Sequence, residues 1–223
     1  MRSADTTRLL VLGVVAIFEP ANGYQLRREL LSWDVERWAN VQPGSIYSML
    51  GTLTKRGMVE RFDLSLGEGG RPVAVYRSTP AGREELRRLV REGIVTVNQL
   101  DQSAAYAAMS LMFTVLPREE VVPLLERRQE ALKEAATALR TRREALTADR
   151  GTPPHVPRLL EYSVGVHEAE LAWLRGFTAS VRAGELAFVG EQGEEWVPAE
   201  DDPGWRMVRE REDYLRAIAE LER

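Results

Sequence analysis

Cysteine is absent from the 223 residues, which removes disulfides and thiolate metal sites together. Histidine is nearly absent: His155 and His167 are the only two, and neither stands in a metal-ligand spacing. A catalytic zinc would need about three protein ligands, commonly histidines, so no metal or cofactor is expected. A phosphate loop, a dinucleotide fingerprint and a nucleophile elbow are also missing. The glycine cluster of Gly67, Gly69 and Gly70 precedes an expected strand, so it offers no helix N–H groups to a phosphate. No catalytic residue is assigned, and the chain is not expected to be an enzyme. No apolar run is long enough to cross a bilayer. Arg2 and Arg8 ahead of the apolar residues 9–18 imitate a secretory signal, but Asp5 interrupts the positive stretch and no small-residue cleavage pattern follows Phe18. A cytoplasmic protein without a membrane partner is expected.

What remains is an ordinary globular composition, 44% hydrophobic and 29% charged, at a length that fits one or two domains. The net charge of −4 hides an asymmetry. Residues 1–92 hold 14 Lys/Arg against 11 Asp/Glu, and the rest of the chain holds 16 against 23. A mildly basic front ahead of an acidic remainder permits a DNA-binding domain joined to an acidic partner domain.

Punctuation divides the chain. Residues 6–18 predict a helix that is apolar nearly all round, broken by Pro20. Asn22, with Gln25 three residues on, predicts a capping box, and Leu26, Leu30 and Trp33 mark one face of a second helix. Residues 34–42 read as a short connection with an extended turn around Trp38. Pro43 opens a third helix, with Ile46, Leu50 and Leu53 inward and Ser45, Ser48, Thr52 and Lys55 outward, closed by Gly57. Residues 58–64 and 71–78 predict a hairpin with a glycine-rich tip, and Thr79-Pro80 starts another helix. Helical periodicity then dominates, over 118–148 and 158–182 above all. A loop is expected at 151–157, an acidic linker at 191–203 and a last helix at 205–221.

Helix, helix, turn, helix and hairpin, in that order, is a winged helix-turn-helix. The expected fold is mainly α with a small β-hairpin wing: a winged helix-turn-helix DNA-binding domain over 1–92, followed by an all-helical dimerisation domain over 93–223. In such a fold a recognition helix reads base edges in the major groove, and a wing arginine can enter the minor groove.

Gly23-Tyr24-Gln25-Leu26, Trp38, Pro43-Gly44-Ser45-Ile46-Tyr47-Ser48-Met49-Leu50, Leu53 and Gly57, followed by Gly70-Arg71-Pro72, Tyr76 and Thr79-Pro80-Ala81-Gly82, together resemble the PadR family of transcriptional regulators. Past Leu100 the chain resembles the subgroup with a long helical, virulence-activator-like C-terminal domain. Gln42 departs from the pattern, where a better cap often precedes the proline. The resemblance implies a homodimer, in most members a repressor, on a pseudo-palindromic operator in double-stranded DNA, with a small aromatic effector in some. Residue by residue it implies Tyr24 near the DNA backbone, Ser45, Tyr47 and Ser48 on the recognition helix, and Arg71 on the wing. Thr52 and Lys55 share the outer helix face, although a cation there also suits the helix dipole. Tyr24, Tyr47 and Tyr76 could equally be packing aromatics. Leu160, Val164, His167, Leu171 and Leu174 recur at helical steps and form the expected dimer seam. The competing function is a winged-helix interaction scaffold that never touches DNA.

Overall fold

The computed structural model describes residues 3–65, 72–98, 101–191, 201–202 and 204–223. The front half runs α1 (Ser3–Phe18), β1 (Ala21–Asn22), α2 (Gly23–Ser32), α3 (Val35–Trp38), α4 (Pro43–Lys55), β2 (Val59–Leu64), β3 (Val73–Ser78) and α5 (Pro80–Val95). The rest is α6 (Ser103–Val115), α7 (Arg118–Ala148), α8 (His155–Ala183) and α9 (Gly204–Leu221). The fold is mainly helical with one small antiparallel sheet, a winged helix. The chain forms two compact units, Met1–Val90 with Glu194–Arg223, and Arg91–Gly193.

In the first unit α1 is central. Leu9, Leu10, Leu12, Val14 and Val15 are all buried, as expected for a helix without a polar face. Asn22 closes the predicted capping box: its side chain accepts from the Gln25 N–H while the Gln25 side chain accepts from the Asn22 N–H. Leu26 and Leu30 of α2 meet Ile46, Leu50 and Leu53 of α4 in the same core.

Two local features differ from the sequence expectation. Residues 35–38 are a helical turn rather than extended, because Asp34 at φ 58° reverses the chain and lets Val35 bury completely. The Trp38 indole N–H then donates to the Trp33 carbonyl. The wing also has a third strand: Ala21 and Asn22 pair with Tyr76 and Val75, giving the order β1-β3-β2. Two residues carry no strand periodicity, so only the fold exposes β1. Glu19 fastens this corner, accepting from the Ser78 N–H and the Arg83 guanidinium.

The larger difference concerns the expected 93–223 helical domain. Its last helix, α9, belongs with the winged unit instead, packed on β1 and β2. Tyr214 and Ile218 complete a small apolar cluster there with Leu64 and Val75.

The second unit is built on the α7–α8 pair. α7 has the predicted bounds, whereas α8 starts three residues early at His155, with Pro157 in its first turn, where proline is tolerated. Arg128 is only 2% exposed. Its guanidinium is held by Glu170 at 2.5 Å and donates to the Ile94 and Thr96 carbonyls.

Candidate nucleic-acid interface

Pro43 sets where the exposed helix begins. Gln42 makes no side-chain cap, but its carbonyl accepts from the Ser45 N–H, and proline at the first helical position needs no partner for a missing N–H. Gly57 at φ +67° ends the helix in the left-handed region that glycine tolerates. Between them α4 buries Ile46, Leu50 and Leu53 and turns the opposite side outward. Gly44, Ser48, Gly51 and Lys55 are all exposed and fall at steps of four, three and four, a single line along that side. Exposed Ser45 and half-buried Thr52 flank the line on one edge, exposed Tyr47 on the other. The Thr52 hydroxyl donates to the Ser48 carbonyl, so it is held against the helix.

Tyr24 is 62% exposed and Tyr47 45%, so neither is a core aromatic, whereas Tyr76 is buried. Their rings border one open hollow of about 360 Å³, together with Gly23, Val73 and Ala74. A Cβ on Gly23 would lie 3.1 Å from the Tyr47 ring, so the glycine lets the two helices share this hollow. A second open hollow, of about 400 Å³, is bordered by Ser45, Ser48 and Thr52 with Ala4 and Thr7 of α1. The structure therefore brings Tyr24 and Tyr47 together, and separately Ser45, Ser48 and Thr52. Lys55 stands at the far end of the same helix face, and Arg71 lies outside the described residues.

The residues of the expected dimer seam lie elsewhere. Val164, His167 and Leu174 are buried within the second unit, where α7 is the partner of α8. His167 Nδ1 is 2.8 Å from the Ser163 carbonyl. Leu160 and Leu171 are half-buried. One stripe of a helix can belong to a partner within the chain or to a second copy, and periodicity does not distinguish them. The opposite side of α8 carries Leu159, Tyr162 and Trp173, which are 64%, 73% and 52% exposed. Trp173 stacks on Phe177 with centroids 4.9 Å apart.

Sequence reasoning gave Asn22 and Gln25 only their capping box and assigned nothing to Glu210 and Tyr214, but the structure joins all four by hydrogen bonds. The signal was partly present: Met207, Tyr214 and Ile218 are a buried stripe at seven- and four-residue steps. Among the described residues there is no group of side chains arranged to hold a metal, and no helix is long and apolar enough to cross a membrane.

Residues 11–88 match the family model for the transcriptional regulator PadR-like family. Nothing among curated proteins matches the chain. Solved structures similar to it include Bacillus subtilis PadR in complex with operator DNA, at 20% identity over 78% of this chain and 98% of that one, TM-score 0.32. Another is smu.1604c from Streptococcus mutans UA159, at 18% identity over 77% and 98%, TM-score 0.34. Bacillus subtilis PadR in complex with p-coumaric acid matches at 18% identity over 79% and 97%, TM-score 0.29. The family is one of transcriptional regulators, not enzymes. Residues 11–88, which form the winged domain, are thus similar to the PadR-like family of transcriptional regulators.

Proposed function

We propose that the chain is a cytoplasmic, homodimeric, DNA-binding repressor that reads a pseudo-palindromic operator with a pair of α4 helices. One observation carries this reading: the exposed line of Gly44, Ser48, Gly51 and Lys55, flanked by Ser45, Thr52 and Tyr47. Small and hydroxyl-bearing side chains let a helix approach base edges and donate or accept there, whereas a scaffold surface would present apolar anchors. Tyr24 and Tyr47 beside the hollow fit a DNA backbone contact. Arg71, which follows Gly69 and Gly70 in the sequence, is assigned to the wing contact.

In this reading residues 1–92 together with α9 form the reading head, and the helices of the second unit join two copies. Because the stripe through Leu160, Val164, His167, Leu171 and Leu174 faces α7 within the chain, the seam is assigned to the exposed Leu159, Tyr162 and Trp173 side. A small aromatic molecule is the effector class to test, with Trp173 fluorescence as its reporter.

Selection from a randomised duplex library with the full chain tests the function. An inverted repeat should emerge, with half-site centres about one helical turn, or ~34 Å, apart. Affinity should fall steeply with salt as phosphate contacts release counterions. Arg71→Ala should weaken all sites and reduce the salt slope by about 1. Ser45→Ala or Ser48→Ala should relax preference at single base positions, by roughly 1–3 kcal/mol each. Enrichment of no duplex would leave the interaction scaffold as the better account.

A further inference from the structure

We propose that α9 is a brace for the wing. It fixes β2 and β3 against the start of α2 while leaving the α4 face open, so that DNA reading depends on a helix separated from the winged motif by the whole of the second unit. The inference rests on the DNA-binding function proposed above.

The sheet has two sides because strand residues alternate. The register places Phe62, Leu64, Val73 and Val75 on one side and Arg61, Asp63, Ala74 and Tyr76 on the other. α9 covers the first. Leu64, Val75, Tyr214 and Ile218 are each no more than 2% exposed, with Phe62, Val73 and Ala217 packed around them. The sheet thus supplies only half of its own apolar cluster, and α9 supplies the other half.

Polar ties fix the helix at two separate places. At the start of α2, the Asn22 amide donates to the Tyr214 hydroxyl at 2.9 Å, which donates to Glu210 at 3.1 Å. The Gln25 amide donates to the same Glu210 carboxylate at 2.7 Å. Asn22 and Gln25 are also the capping box, so the groups that begin α2 are the groups that hold α9. Arg211 adds a bond to the Glu19 carbonyl. At the wing, Arg77 of β3 donates to Glu222 at 2.5 Å, and its guanidinium lies 5.0 Å from the centre of the Phe62 ring. A helix tied both to the helix-turn-helix and to the wing restricts motion of one against the other.

The geometry also separates a brace from a lid. Tyr24, Tyr47, Ala74 and Tyr76 border the hollow, and no residue of α9 is among those that line it. Tyr24 and Tyr47 remain exposed with α9 in place.

The test uses the full chain and two variants. Ile218→Asp places a charge in the apolar cluster and unseats α9; Tyr214→Phe keeps the packing and removes the hydroxyl that links Asn22 to Glu210. Hydrogen exchange reports the posture of the wing without any DNA. A duplex enriched from the randomised library by the unaltered protein reports reading. Ile218→Asp should speed exchange in β2, β3 and the first turn of α2 by about tenfold or more. It should weaken binding by about tenfold. Tyr214→Phe, which guards against an unfolded first variant, should speed exchange mainly at the start of α2 and weaken binding about threefold. Unchanged strand protection in Ile218→Asp would overturn the brace. Tighter DNA binding on release would overturn it too, making α9 an inhibitory strap. If the unaltered protein enriches no duplex, the DNA function fails, and exchange alone judges the brace.

Discussion

A Cβ added at Gly82 would lie 1.9 Å from the carbonyl oxygen of Met58. That carbonyl also accepts from the Thr79 N–H, so the first turn of α5 is seated on the backbone just before β2. Backbone cannot swing aside as a side-chain end can. Gly82→Ala should therefore lower the unfolding free energy by about 3 kcal/mol or more, measured by chemical denaturation. Gly51 behaves in the opposite way. Nothing lies within 4 Å of a Cβ there, and the residue sits in mid-helix on the exposed line of α4. Gly51→Ala should raise stability by about 0.5–1 kcal/mol. If α4 enters a groove, the same methyl should weaken DNA binding; a variant both more stable and equally tight would move the contact off this line. Both glycines stand within or beside motifs visible in the sequence. Which one is forced by packing and which is free was not visible, because the deciding atom, the Met58 carbonyl, is distant along the chain.

Between elements, two ion pairs do different work. Arg128 of α7 closes the end of α5, where the Ile94 and Thr96 carbonyls lack helical partners, and neutralises Glu170 of α8. Arg128→Met would leave a carboxylate and two carbonyls without this donor in a nearly buried place. The cost should be about 3–5 kcal/mol in urea unfolding, the range for a buried charge deprived of its partner. Glu85 of α5 ties back to α1. Hydrogen bonding from Arg88 first, and from Arg8 as well, holds its carboxyl below the usual carboxylate range. A folded-state value lower than the unfolded one means stability that is present above the ordinary carboxyl range and lost as acid carries the pH down through the folded value. Glu85→Gln should flatten that acid limb of the stability profile while leaving neutral-pH secondary structure intact by circular dichroism. Elements with their own punctuation were legible: Asn22 with Gln25, Pro43 with Gly57, and Thr79-Pro80 each mark a boundary that the structure keeps. The stripe on α8 was legible as a stripe, but its partner was not. Leu160, Val164, His167, Leu171 and Leu174 describe an apolar side equally well whether α7 or a second chain covers it.

For the whole molecule, the proposed seam makes a claim about assembly. Trp173 is half exposed and stacked on Phe177. Trp173→Glu should convert a dimer to a monomer in light scattering and weaken binding to an inverted repeat far more than to a half-site, since the tethered second head is lost. A variant that stays dimeric would place the seam elsewhere. The division of the chain was the least legible feature: composition suggested a boundary near residue 92, but could not show that α9 returns to the winged unit. That return has a consequence for synthesis. The winged unit is discontinuous, with Arg91–Gly193 inserted between its two segments. A ribosome therefore delivers β2 and β3 early and their apolar cover only after the entire insert has emerged. Until then the nascent wing carries an uncovered Leu64 and Val75, the kind of transient surface that chaperones hold. A chain cut short inside the insert would lack α9, and with it the Tyr214 and Ile218 that cover Leu64 and Val75.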